Sequence, residues 1–130
     1  MSEQTTYEGG CHCGAVRFRA LVERHEAIHC NCSICTKTGF LHLILPKERF
    51  TLLRGEESLV TYTFNTRVAQ HRFCRICGVH PFYAPRSHPD GVSVNARCLD
   101  GDVVDRFQVV PFDGARWEKS IGSLLEPAGS

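Results

Sequence analysis

Cys30-Asn31-Cys32-Ser33-Ile34-Cys35 places three thiols within six residues. A packed core has no need of sulfur at that density, so the stretch reads as a set of ligands. Working outward, Cys11-His12-Cys13-Gly14 lies upstream and Cys74-Arg75-Ile76-Cys77-Gly78 downstream. Cys98 is the one cysteine of the eight that stands apart from these clusters. The chain is therefore expected to fold around two zinc ions, one enclosed and one open.

The flanking pairs suit an enclosed ion. In an extended Cys-x-Cys segment both sulfurs point to one side, because side chains alternate with a period of two. A disulfide between such close neighbours would be strained. Cys-x-x-Cys in a turn brings its sulfurs together by folding back, and Gly14 and Gly78 each follow their pair, where a positive φ is tolerated. Cys11 and Cys13 with Cys74 and Cys77 thus make one four-sulfur site that ties the N-terminal strand to the middle of the chain. Its loss should unfold the domain.

The central trio, Cys30, Cys32 and Cys35, has no fourth cysteine in its local motif. Structural zinc takes four protein ligands, and catalytic zinc takes three plus water or substrate. Three thiolates leave a zinc dication with one net negative charge, a poor activator of water but a good seat for a soft thiolate. The chemistry that follows is addition of a bound thiol to a small carbonyl compound. A histidine (His29, His42 or His80) closing the trio would instead make a second structural site and a non-catalytic module that binds a protein partner. Iron is the alternative ion, although the spacing fits no ferredoxin pattern.

Period-two patterning runs through most of the chain, and no long stretch has a period of 3.6. Val16, Phe18, Ala20 and Val22 alternate with Arg17, Arg19, Leu21 and Glu23 as a half-buried strand. Residues 27–31, 40–45, 50–53, 59–64, 68–73, 79–83 and 107–110 are further expected strands. Residues 33–37 should form a tight turn or one helical turn ended by Gly39. Val92, Val94, Ala96 and Cys98 alternate with Ser93, Asn95 and Arg97 as another strand. Short strands with frequent turns imply an all-β fold of two antiparallel sheets organised around the cysteine turns. Phe40, Phe64, Phe73, Phe82 and Trp117 are expected core. Residues 5–125 are expected to form one zinc-binding domain and residues 126–130 a frayed tail.

Bulk properties narrow the function. A hydrophobic content of 42% and a charged content of 22% are ordinary for a soluble globular chain. Met1-Ser2-Glu3-Gln4 is polar, no apolar leader follows, and the run from Phe40 to Leu45 is too short to span a bilayer. The expected compartment is the cytoplasm, where clustered cysteines bind metal rather than form disulfides. Seven thiolates on two dications would lower the formal charge of +1 to about −2. Lys and Arg are scattered, so nucleic acid is not an expected partner, and neither is a membrane.

Cys11-His12-Cys13-Gly14, Cys30-x-Cys32-x-x-Cys35 and Phe73-Cys74-x-x-Cys77-Gly78, in this order, resemble the glutathione-dependent formaldehyde-activating enzyme family, which includes centromere protein V. The resemblance runs from about Gly9 to Trp117. It implies a mostly β, zinc-binding fold shared with methionine sulfoxide reductase B and zinc-ribbon-like proteins. It also implies Cys11, Cys13, Cys74 and Cys77 as structural zinc ligands and Cys30, Cys32 and Cys35 as catalytic ones. The implied activity joins glutathione to formaldehyde as S-hydroxymethylglutathione, a carbon–sulfur lyase reaction in reverse. The implied partners are a small thiol and an aldehyde, with self-association left open. Gly78 to Tyr83 and Arg97 to Asp100 look closer to the centromere protein V-like branch.

The remaining candidates are single residues. Cys98, on the apolar face of its expected strand, behaves as a small buried hydrophobe. Its alternative is a redox nucleophile, since Arg97-Cys98 is similar to the catalytic strand of methionine sulfoxide reductase B, and thiol-dependent reduction is then the second enzyme class. Arg97 should point to the opposite face, which argues against an activated thiol. His12 should face away from the metal between its two neighbours. Lys37, Arg86 and His88 are either carboxylate-binding groups for a peptide thiol or solvated surface charges.

Overall fold

Phe18, Ala20 and Val22 are fully buried, and the residues between them face outward or lie at the rim. The alternation read from the sequence thus builds the strand β2 (Arg17–Val22). The structure, a computed structural model, describes residues 4–63, 70–85, 90–101 and 103–112. Its other strands are β1 (Thr5–Gly10), β3 (Glu26–Cys30), β4 (Leu41–Pro46), β5 (Phe50–Arg54), β6 (Leu59–Tyr62), β7 (Gln70–Cys74), β8 (Phe82–Ala84), β9 (Gly91–Asn95) and β10 (Gln108–Phe112). A short helix, α1 (Ser33–Thr38), is closed by Gly39 in the left-handed conformation, as the sequence suggested.

Among the described residues the strands form two sheets, one ordered β1-β2-β5 and the other β10-β3-β4-β9-β8-β7-β6. The all-β, two-sheet expectation holds, with one departure. β10 pairs in parallel with β3, from Gln108 opposite Glu26 to Phe112 opposite Cys30. No hairpin joins strands so distant in the chain, so no turn signal could reveal their relative direction.

Residues directly opposite each other in a ladder share a face, and this separates the large sheet into two surfaces. One carries Leu43, Leu45, Val94 and Phe82. It packs with Phe18, Ala20 and Val22 of the small sheet into a single core. Phe18 lies 5.6 Å from Phe50 and 6.3 Å from Phe82 between ring centroids, so three rings from both sheets meet there. The other surface carries His42 on β4, Ser93 and Asn95 on β9, Tyr83 on β8 and His71 on β7. The alternation Val92-Ser93-Val94-Asn95 therefore marks two buried faces, since Ser93 and Asn95 are themselves buried.

The chain passes from the small sheet to the large one at Gly55 and the 3-10 turn Glu56–Ser58. Gly55 has a φ of 98°, and a Cβ there would stand 2.3 Å from the carbonyl oxygen of Ala15. A second tie runs from the segment after β9. Leu99 bridges Gly9, the Asp100 N–H donates to the Glu8 carbonyl at 2.8 Å, and the Arg17 guanidinium pairs with the Asp100 carboxylate.

Two sequence expectations are corrected here. The strand from Val92 to Cys98 ends at Asn95, and Ala96–Cys98 is a 3-10 turn. The Asn95 side chain causes the break: its oxygen accepts from the Arg97 N–H at 3.1 Å, and its amide donates to the His80 carbonyl at 3.0 Å. The strand expected over residues 79–83 is shorter, starting at Phe82, because the Cys74 N–H donates to the Val79 carbonyl and closes a turn there. Phe64, Val68, Arg86, His88, Trp117 and the tail 126–130 lie outside the described residues.

Phe18→Ala should cost about 3–5 kcal/mol of unfolding free energy, read from urea melts, because it opens a cavity where the sheets meet. Gly55→Ala should cost well beyond the about 1 kcal/mol of an ordinary left-handed alanine, since backbone atoms block the methyl group. A Gly55→Ala variant melting with the wild type would refute that close approach.

Candidate metal centre

The N-terminal Cys-x-Cys turn lies between β1 and β2, and the Cys-x-x-Cys turn follows β7. Both use the same backbone device. The Cys11 N–H donates to the Val16 carbonyl at 3.1 Å, and the Cys74 N–H to the Val79 carbonyl at 3.0 Å. Gly14 and Gly78, with φ of 84° and 79°, donate back to the carbonyls of Cys11 and Cys74. Each loop thereby turns its N–H groups inward. Val16 N–H reaches the Cys11 sulfur at 3.3 Å, and Ile76 N–H the Cys74 sulfur at 3.4 Å.

The four sulfurs of Cys11, Cys13, Cys74 and Cys77 lie within 4.8 Å of one another. Cys11 and Cys13 are 3.6 Å apart, and Cys13 and Cys74 3.7 Å apart. Sulfurs placed tetrahedrally at about 2.3 Å from one ion are about 3.8 Å apart, whereas a disulfide bond is about 2.05 Å. The spacing fits a shared cation, and all eight cysteines are free. The segment from Arg54 to Ser58 braces both halves. Arg54 donates to the Gly14 carbonyl at 3.0 Å, and Arg75 N–H donates to the Ser58 carbonyl at 2.8 Å.

The trio sits at the other surface of the large sheet. Cys30 ends β3 on the face that carries His42, Cys32 is the cap of α1, and Cys35 is buried on that helix. Their sulfurs also lie within 4.8 Å of one another, and among the described residues no fourth Cys, His, Asp or Glu joins them at that spacing. Cys30 and Cys32 are partly exposed. Of the histidines weighed as a fourth ligand, His29 is exposed, and His80 packs its ring against Phe73. His42 comes closest, with Nε2 at 3.0 Å from the Cys35 sulfur.

Without a cation, the trio holds its protons unevenly. Hydrogen bonds from the Cys30 and Cys35 side chains pull Cys32 down to about 2, helped by backbone N–H groups at the start of α1. Hydrogen bonding with Cys30 and Cys32, and burial, push Cys35 far above the ordinary thiol range. Cys30 is raised as well, chiefly through Cys32. Three adjacent thiolates repel one another, and only a cation makes full ionisation favourable.

Cys98 is not near the trio. Its thiol faces the His80 carbonyl at 3.6 Å, and burial pushes it up to about 12. It packs against the core, which favours the small-hydrophobe reading over a nucleophile. Arg97 instead donates to the Gly39 carbonyl at 3.0 Å, bracing the end of α1. His12 and Lys37 are exposed.

Sequence reasoning missed the polar row behind the trio. The His42 ring is buried, and burial lowers it to about 4, so it is neutral. Its Nδ1 lies 2.9 Å from the Ser93 hydroxyl and 3.2 Å from the Tyr83 hydroxyl. Burial raises Tyr83 well above the ordinary phenol range. His71 stacks on Tyr83 with ring centroids 4.5 Å apart. The usable signal was the polar residue Ser93 alternating with Val92 and Val94, together with His42 inside an otherwise apolar run.

Among known proteins, the chain matches the sequence pattern of the family described as "Glutathione-dependent formaldehyde-activating enzyme" over residues 6–112. A Halomonas elongata protein, provisionally named a glutathione-dependent formaldehyde-activating enzyme, is 32% identical over 105 residues, or 74% of this chain and 67% of that one. A crystal structure of a Rhodobacter sphaeroides protein is similar with a TM-score of 0.71 and 36% identity, covering 80% of this chain and 97% of that one.

Because Cys30 and Cys35 are held protonated above the ordinary thiol range, a zinc ion taken up by the trio would expel protons. Its zinc affinity should therefore fall as pH is lowered, and chelator competition in mildly alkaline and mildly acidic buffers measures it. Cys35→Ser should lose one zinc equivalent and keep the far-ultraviolet circular dichroism of the fold. Cys74→Ser should lose the fold itself.

Proposed function

The chain belongs to the glutathione-dependent formaldehyde-activating enzyme family, and from that premise we propose that it joins a glutathione-like thiol to formaldehyde, or cleaves the same adduct. Cys30, Cys32 and Cys35 would hold a catalytic zinc ion, and Cys11, Cys13, Cys74 and Cys77 a structural one. The observation that carries the reading is the three-sulfur group without a fourth donor among the described residues. A zinc ion held there supplies a cationic seat that keeps a thiol ionised and nucleophilic near neutral pH.

The protein residues supply position and charge. The trio comes from one short segment whose helix is anchored by Thr36 N–H to the Cys32 carbonyl and Gly39 N–H to the Cys35 carbonyl, each at 2.9 Å. Cys35 is buried and Cys30 and Cys32 are partly exposed, so a guest thiol approaches over the latter two. Three thiolates disfavour hydroxide and favour a soft sulfur guest. In the reaction the thiol sulfur bonds to the carbonyl carbon, the C=O π pair moves to oxygen, and the proton lost by the thiol ends on that oxygen. The reverse breaks the carbon–sulfur bond, a lyase step, and neither direction needs an oxidant or reductant. Free thiols at this density fit a reducing compartment, the cytoplasm.

Carbon-13 exchange NMR of glutathione with labelled formaldehyde tests this. The zinc-loaded protein should accelerate formation of the hydroxymethyl adduct, Cys32→Ser and Cys35→Ser should return the uncatalysed rate, and Cys98→Ser should leave the enzymatic rate unchanged. A wild-type protein with full zinc and no acceleration would end the formaldehyde reading.

A further inference from the structure

We propose that His42 is the positioning residue of the three-cysteine site, donating a hydrogen bond from its Nε2–H to the Cys35 sulfur while Nδ1 accepts from the nearer of two hydroxyls, that of Ser93. The inference rests on the trio being a metal site and goes beyond it by assigning the group that stands behind one of its three sulfurs. The geometry carries it. Nε2 is 3.0 Å from the Cys35 sulfur, and Nδ1 is 2.9 Å and 3.2 Å from the two hydroxyl oxygens. A neutral imidazole has one N–H. A sulfur that binds a cation has lost its proton and can only accept, so that N–H must sit on Nε2. Nδ1 is then an acceptor, and it faces two hydroxyls able to donate. One tautomer gives the sulfur its donor and leaves Nδ1 to accept from Ser93, with the Tyr83 hydroxyl beside them.

The fold makes the arrangement rigid. His42, Ser93 and Tyr83 lie on three adjacent strands, β4, β9 and β8, on one face of the large sheet. Phe40 packs on the imidazole with centroids 4.6 Å apart and meets Tyr83 edge-on at 5.3 Å. Helix α1 is only six residues long and would not hold Cys35 in one rotamer by itself. The donated hydrogen bond fixes that rotamer and withdraws electron density from one sulfur. Cys35 thus becomes the anchored ligand, with Cys30 and Cys32 left on the accessible side. Groups behind a ligand are commonly worth 10–100-fold in metal affinity.

The experiment compares wild-type protein, His42→Phe and His42→Gln, whose side-chain amide can restore an N–H near the Nε2 position. Each is loaded with zinc, and separately with cobalt(II). First, wild type must bind two metal equivalents; one equivalent alone would refute the trio as a metal site and this proposal with it. Given two, His42→Phe should release the second metal to a chelator about 10–100-fold more readily. Its sulfur-to-cobalt charge-transfer band should move to lower energy, because the unshielded sulfur donates more strongly. His42→Gln should recover both properties. Should His42→Phe not fold, the double variant Ser93→Ala with Tyr83→Phe removes both hydroxyls that face Nδ1 and should shift the band the same way. Unchanged release and band position would overturn the proposal. So would X-ray absorption showing an imidazole bound directly to zinc in wild type and lost in His42→Gln.

Discussion

Thiolates repel one another, and this chain gathers seven of its eight cysteines into two groups where they cannot all ionise unaided. That constraint organises the rest. In the four-cysteine group one pair leaves the small sheet after β1 and the other leaves the large sheet after β7. A cation between them would therefore join two layers at positions 61 residues apart in the Cys13–Cys74 case. The layers also meet through the rings of Phe18, Phe50 and Phe82, so the apolar contact and the sulfur contact act on the same pair of sheets.

The two cysteine groups differ in their surroundings rather than in their sulfur chemistry. The four-cysteine loops satisfy their sulfurs with their own backbone N–H groups, such as Val16 and Ile76. The trio has backbone N–H groups at Cys32 and adds a side chain from another strand, His42, which in turn meets Ser93 and Tyr83. Backbone donors are fixed by the loop itself. A side-chain donor couples the site to the interior of the large sheet.

Much of this was legible in the sequence, because cysteine spacing is a geometric instruction. Cys-x-x-Cys-Gly specifies a turn whose shape hardly depends on what surrounds it, and although Cys-x-Cys is a turn rather than the extended segment expected, the structure groups these four cysteines together. Phe18, Ala20 and Val22 were legible for a similar reason, since alternation on a strand with one buried face is a local property. Local patterns fail where distant strands decide. Ser93 and Asn95 look like a solvent face until side-chain and backbone partners from other segments, His42 and His80, are brought against them. Asn95 ends its strand by accepting from the Arg97 N–H, and its remaining partners, His80 and Leu41, do not announce themselves in the surrounding residues. The parallel pairing of β10 with β3 is invisible to any window that contains only one of them.

In Val92-Ser93-Val94-Asn95, neighbouring residues serve opposite surfaces of the same sheet: Val94 belongs to the core shared with the small sheet, and Ser93 to the row behind the trio. A slip of a single residue along β9 would place a hydroxyl in the oil and an isopropyl group against the imidazole. Hydrophobic assembly and the alignment of the sulfur pocket are thus mechanically geared through one ladder. A shift of this strand would therefore disturb both at once, whereas a change at the rim of the pocket leaves the gear in place.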